Sequence, residues 1–487
     1  MSGKNKAGLI SILFVFVLIA LIVILNSQLS STVQAADTKD DGKFYPGVYS
    51  EAEKEMLAKV QNTGGTFGSA PQVSTDAFMA MTADKKEMLQ YANAFDYWNP
   101  LFKNEEYAKK TKYGSIIAVP FFKEAGAMFP TLGPNEKIGS WGGTNDGGYM
   151  EFFLPIKPGD TFTSKSDPPT VTDITPEEGS TTRTFEVRGS GSLYNQNSEL
   201  VIKGEMIGRN SFRKAGASGG FGPGGSGSSG GQGAPGGQGG GQGGAPAAGG
   251  QGGPAAGGQG GPGGMGMSNR HKFTDDDYEK IHEIEDAEVV RGADTLYWED
   301  VKVGDRPTWA IVGPTTTMDM IRCFGSQIIS NPPMREQLKN KDRLPGLSQD
   351  AYGVYHLMEE GHFGDSGTAG RMPIYYMAFG RNHMVRLVTN YIGDEGWLRK
   401  FEWRNETSAK EYLDQVPELK GKSLNAHGTV GSVLIAKAYV TKKYIDESDK
   451  SHRIEMIVWT EENFEGDLCQ AAKVTAILPS KDEVKKK

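Results

Sequence analysis

The sequence predicts an α+β protein in which one unit, a long buried helix wrapped by an antiparallel sheet, occurs twice. Three observations carry this. A Gly-rich segment at residues 215–267 divides the 487-residue chain, which is too long for one ordinary core, into two flanks. Each flank combines apolar helical stretches with short alternating segments punctuated by turns. A turn sequence also recurs, Lys157-Pro-Gly-Asp160 in the first flank and Lys302-Val-Gly-Asp305 in the second.

From the N-terminus, Lys4 and Lys6 precede an unbroken apolar run at 9–25, then a polar stretch and Val33-Gln34-Ala35. The run exceeds a usual signal core of about 7–15 residues and falls short of the roughly 20 that span a bilayer. A cleaved signal peptide and an uncleaved membrane anchor, residues 1–36, both fit. Either way, positive residues stay inside, and the rest is expected in the periplasm or cell envelope. Net charge is −8 with both signs mixed along the chain, which argues against nucleic acid as a partner. The acidic run Asp275–Asp277 and the Lys485–Lys487 tail read as solvated ends. Cys323 and Cys469 are far apart and fit either one disulfide or two buried thiols. No His/Cys pattern argues for a metal or other cofactor; His282-Glu283 is not part of an HExxH pattern.

The first flank, residues 75–214, opens with helical spacing at 83–94, a turn at Asn99-Pro100 and a short helix at 105–110. Residues 118–128 are small and apolar enough for a buried helix. Strand-like segments follow at 149–155, 160–166, 183–190 and 199–208, with a turn at 195–197. Trp141-Gly-Gly and Asp146-Gly-Gly read as loops. Residues 215–267 are too rich in Gly to build a core, are expected to be a flexible linker or surface loop, and lack the Gly-Lys-Ser/Thr of a phosphate-binding loop.

The second flank, residues 290–480, opens with Tyr297-Trp-Glu-Asp-Val and the Lys302–Asp305 turn. Helices are expected at 318–327 and, as the long central helix, at 372–391. Strands are expected at 426–443, 453–460 and 468–478. Trp397, Phe401 and Trp403 recur near strand spacing and read as core. Arg381, His383 and Arg386 fall in the long helix, where either an approach to substrate or a buried ion pair with Asp394 or Glu395 would account for them.

The stretch Tyr91–Pro120 resembles the active-site signature of MaoC-like (R)-specific enoyl-thioester hydratases and dehydratases, in the two-domain form. Asn99-Pro100, Glu105-Glu106, Ala108 and Gly114-Ser-Ile-Ile-Ala118 carry the likeness, supported by Glu151-Phe-Phe and Pro155-Ile-x-Pro-Gly-Asp160. In the second flank it rests on Tyr297-Trp-Glu-Asp-Val, Gly313-Pro-x-Thr, Gly380-Arg381 and 387–398. The resemblance covers most of the chain outside the signal and the linker and implies a double hotdog fold, with the halves pairing through their sheets and a homodimer of that unit allowed. In the first flank Phe102 stands where the family has His and Tyr97 where it has Asp. A phenyl ring can neither give nor take a proton, so this half reads as the non-catalytic one.

The resemblance directs the search for chemistry to His356 in the second flank. The family's Asp would fall at Ala351, and Asp350 is one place off. An Asp–His pair would activate water for addition to the β-carbon of an enoyl thioester. Backbone N–H groups near Tyr375 and Tyr376, at the start of the long helix, would polarise the thioester carbonyl, with Gly380 and Arg381 as further substrate contacts. A loop role for His356, satisfied by Glu359 or Glu360, and a second proton carrier in His362 stay open. The expected partner is an acyl-type substrate or a hydrophobic ligand, with the membrane as a further partner if the N-terminal segment is uncleaved. Three readings follow: an exported hydratase or dehydratase, a non-catalytic protein binding a hydrophobic ligand, or a structural envelope subunit.

Overall fold

The computed structural model describes residues 42–62, 82–123, 132, 135–214, 271–316, 318–319, 322–323, 348–349, 355–356, 377–404, 409–425 and 431–484. The apolar run at 9–25, the Gly-rich segment, Asp350, His362, Tyr375, Tyr376 and the Lys485–Lys487 tail lie outside these residues. Among the described residues no helix is long and apolar enough to cross a membrane.

Local polar chemistry starts the helices of the first flank and the helix after the Gly-rich segment. Ser50 and Glu53 form a reciprocal capping box at the head of α1 (Glu51–Asn62), with Ser50 N–H donating to Glu53 Oε2 at 2.7 Å and Glu53 N–H to Ser50 Oγ at 3.3 Å. The helix expected at 83–94 is α2 (Lys85–Phe95), opened by Asp84 accepting from the N–H of Lys86 and Glu87. Asn99 accepts from Leu101 N–H to set the 3-10 turn Pro100–Phe102, and Asn104 caps α3 (Glu105–Ala108). The Asp275–Asp277 run is solvated at Asp275 and Asp276, as expected, but not at Asp277. It opens α4 (Asp275–Ala287), and Asp277 is buried in a capping box with Thr274. Acidic groups there meet the positive end of the helix dipole.

The first flank supplies β1 (Ser140–Phe152), β2 (Phe162–Ser166), β3 (Thr170–Asp173), β4 (Thr182–Asn195) and β5 (Leu200–Arg213). The second supplies β6 (Ala310–Val312), the two-stranded ribbon β7 (Ser348–Gln349) and β8 (Tyr355–His356), then the central helix α5 (Met377–Ile392). After it come β9 (Trp397–Arg404), α6 (Lys410–Leu413), β10 (Leu434–Ile445), β11 (His452–Glu462) and β12 (Asp467–Ile477). Apart from the ribbon, the strands form one antiparallel sheet in the order β2-β4-β5-β1-β9-β12-β11-β10-β6, with β3 on β4. The two flanks therefore join through their sheets, as expected, at the β1–β9 pair.

The loops expected at Trp141-Gly-Gly and Asp146-Gly-Gly are strand instead, and close backbone approach explains Gly147 and Gly148. Gly147 has φ +138°, and a Cβ there would lie 2.4 Å from Trp403 O. A Cβ on Gly148 would lie 2.4 Å from Glu205 O. Only bare backbone lets β1 sit between β5 and β9 at this bulge.

Burial sorts the sheet by face. Along β11, Ile454, Met456 and Val458 join the main core with α5, while Ile457 and Trp459 join a second cluster with Tyr412, Leu413, Val416 and Leu419. Two covered faces explain why this strand reads as a near-continuous apolar run. On the first flank the inner cluster of Phe185, Val187 and Phe212 is closed by Phe44 and Met56. Arg183 fastens that segment: it is 1% exposed and bonds Glu53, Asp173, Tyr45 O and Val48 O.

The buried helix expected at 118–128 is corrected for its described part. Residues 118–123 are irregular, and Phe121 has φ +68°. Pro120 disfavours helical backbone at Val119, and a bulky residue in the left-handed region costs on the order of 1–3 kcal/mol. The long helix is therefore described only in the second flank. Of the helix expected at 318–327, residues 318–319 and 322–323 are helical and the remainder lies outside the described residues. Cys323 and Cys469 are two separately buried thiols.

Candidate functional site

Of the residues predicted to act, His356 is described only through its backbone, on β8, where it pairs with Ser348; Gln349 pairs with Tyr355. His356 is thus on a strand rather than in a loop. Gly380 and Arg381 lie on α5, which is buried throughout from Ala378 to Asn390. A Cβ on Gly380 would fall 2.1 Å from Gln470 Oε1, so the glycine lets helix and β12 approach. The Arg381 guanidinium lies 4.1 Å from the Phe121 ring centre and 5.0 Å from that of Trp403. It reaches the first flank through aromatic faces.

Phe121 is the hub of that junction. Its ring meets Phe152 of β1 at 5.3 Å, Phe401 of β9 at 5.4 Å and Trp403 at 5.8 Å, all edge-to-face. Beside it is a cavity of about 60 Å³, lined mainly by apolar groups including Phe102, Ile117, Phe152, Ile392 and Trp397, with Asn99, Thr389 and Asp394 as polar members. Phe102, at the position of the resemblance's His, is buried in this wall. A second space, about 510 Å³, is an open trench edged by Asp146, Glu186, Arg188, Arg404, Lys410 and Asp414. Its charges are committed to each other or to neighbours, as in Arg209–Asp146, Arg188–Glu186 and Lys410–Asp414, and Ile207 is the one apolar side chain among its lining.

The central helix carries an unusual number of buried polar side chains. Arg386 does not pair with Asp394 or Glu395 as expected. It grips Glu288 through two contacts, Nε to Oε1 at 2.8 Å and Nη2 to Oε2, and Asn390 donates to the same carboxylate at 2.8 Å. Burial raises the Glu288 carboxyl despite these partners. Tyr91 of α2 donates to Asn382 Oδ1 at 3.0 Å, and Tyr107 donates to Asp394 at 2.6 Å. Burial likewise pushes Asp394 above its ordinary value. His383 is buried against Phe379, with neither ring nitrogen hydrogen-bonded, and burial lowers it to about 3. It is a neutral imidazole.

Reading the sequence missed Asp96. It caps the end of α2, is completely buried, and meets the Thr389 hydroxyl at 3.1 Å. Burial raises its carboxyl to about 7. A signal was present: Asp96 precedes the motif position held by Tyr97, the same one-place offset that Asp350 shows from Ala351.

No family model matches this sequence, and no curated protein does. Among solved structures the chain is similar to a MaoC-like dehydratase at 11% identity and a TM-score of 0.43, covering 82% of this chain and 95% of that one. It is similar to a MaoC-like dehydratase from Phytophthora capsici at 11% identity and a TM-score of 0.35, over 82% and 98% of the two chains. A double-hotdog protein from Mycobacterium tuberculosis is similar at 9% identity and a TM-score of 0.37, over 82% and 93%.

Proposed function

We propose that this chain is an exported MaoC-like hydratase or dehydratase whose chemistry lies in the second flank, with His356 as the proton-transfer group and Asp350 as its carboxylate. The β7–β8 ribbon carries this reading. His356 stands on one strand, and Asp350 is the residue directly after Gln349 on the other. In hydration, His356 would take a proton from water as the oxygen adds to the β-carbon. The thioester oxygen would accumulate negative charge beside the backbone N–H groups near Tyr375 and Tyr376, and the proton would return to the α-carbon. Gly380 and Arg381 would border the substrate. The first flank acts as a structural partner, because Phe102 cannot transfer a proton. The apolar run at 9–25 supports export, and two such units pairing as a homodimer suit the fold.

The test is hydration of a panel of short and medium enoyl thioesters by wild type and His356→Ala. Activity lost in the variant supports the reading; activity indifferent to His356 overturns it. One observation favours a second reading, a non-catalytic protein that holds a small hydrophobic ligand: the described cavity is apolar and presents Phe102 where an imidazole would serve catalysis. Absence of activity together with binding of a small apolar probe such as xenon that Phe102→Trp blocks would support that one.

A further inference from the structure

Thr389 has one hydroxyl proton and three acceptors, Asp96 Oδ2, Val385 O and Arg386 O, each at 3.1 Å. A threonine inside a helix ordinarily donates to the carbonyl four residues back, here Val385 O. Asp96 Oδ2 then faces the lone pairs of Thr389 Oγ1 rather than its proton unless Asp96 itself carries one. Asp96 Oδ1 is buried with no hydrogen-bond partner. An ionised carboxylate in that setting is costly. A protonated one is served by a continuous chain, in which Asp96 donates to Thr389 Oγ1 and Thr389 donates to Val385 O.

The surrounding charges leave this balance in place. Arg386 on α5 faces Asp96, but its guanidinium is committed to Glu288, which follows α4 and opposes ionisation. From the turn after α2, the Asn99 backbone N–H is the remaining donor toward Asp96. Asp96 thus sits where α2 of the first flank meets the central helix of the second.

We propose that Asp96 is a neutral carboxylic acid in the folded protein and that its ionisation loosens the joint between α2 and α5, a pH-sensitive device built into the contact between the two flanks. Burial holds the carboxyl at about 7, against an ordinary value of 3.8. Between these values the folded chain binds a proton that the unfolded chain has released, so stability is greatest at the acid end and falls as pH rises toward 7. Above that window the penalty is complete.

Urea unfolding of the full chain from pH 5 to pH 9 tests this, comparing wild type with the neutral variants Asp96→Asn and Asp96→Ser. Relative to either variant, the wild-type unfolding constant should rise by roughly tenfold or more between the two ends, the equivalent of at least one pKa unit. Curves that stay parallel would overturn the proposal. Carboxyl carbon NMR of aspartate-labelled wild type reads the group directly. The resonance that disappears in Asp96→Asn is expected to titrate near neutral pH, and its titrating below about pH 6 would overturn the proposal.

Discussion

The two flanks share a turn but not a way of covering their sheets. Lys157 N–H and Lys302 N–H each donate to an aspartate Oδ2 three residues on, Asp160 or Asp305, at 2.7 Å. Asp160 and Asp305 return their own N–H to the lysine carbonyl at 3.1 Å in both cases, with Gly159 and Gly304 at φ +90° and +97°. Beyond the turn the flanks diverge. The second buries a regular helix, α5, against its strands. In the described part of the first, α2, a proline-broken segment and the Phe121 ring cover the inner face. Turn chemistry depends on four residues and survives divergence, whereas the covering layer depends on the whole core.

Breaking the devices peculiar to each flank sharpens the comparison. The largest effect is expected at Arg183, where alanine leaves the buried Glu53 and Asp173 carboxylates facing each other. Urea unfolding should show a loss of about 3–5 kcal/mol, with the segment at 44–57 becoming protease-sensitive first. Phe121→Ala removes the aromatic hub but also relieves the left-handed backbone. A loss of about 2–4 kcal/mol is expected, smaller than for a relaxed core phenylalanine. Gly148→Ala forces a methyl against Glu205 O where β1 pairs with β5 and should cost about 1–3 kcal/mol, seen as a lower Tm. Smallest are Asp160→Ala and Asp305→Ala, each expected to lose about 1 kcal/mol in the same measurement. Asp160 should be slightly the worse because it also accepts from Gln196.

Local signals carried most of what was legible in the sequence. Asn99-Pro100 marked a turn where one falls, helical spacing at 83–94 located α2, and the alternating runs located the main strands of both flanks. The sequence was silent on β3, whose short polar Thr170–Asp173 carries no apolar alternation. At residues 118–128 small apolar composition outweighed Pro120, a breaker that should have taken precedence. The glycines of β1 read as loop because a close-packed seam is a property of β9 and β5, which lie far away in sequence. Asp96 was missed for the same reason: its burial is created by Thr389 and Arg386, nearly three hundred residues on.

One pair of variants tests the central claim, that chemistry belongs to the second flank and structure to the first. Tyr97→Phe and His356→Ala alter the motif position of the Asp in the first flank and the candidate proton carrier in the second. Measured as kcat/KM for enoyl-thioester hydration, Tyr97→Phe should leave the value within about twofold while His356→Ala lowers it by at least about a hundredfold. A loss confined to Tyr97→Phe, or equal losses in both, would contradict the account.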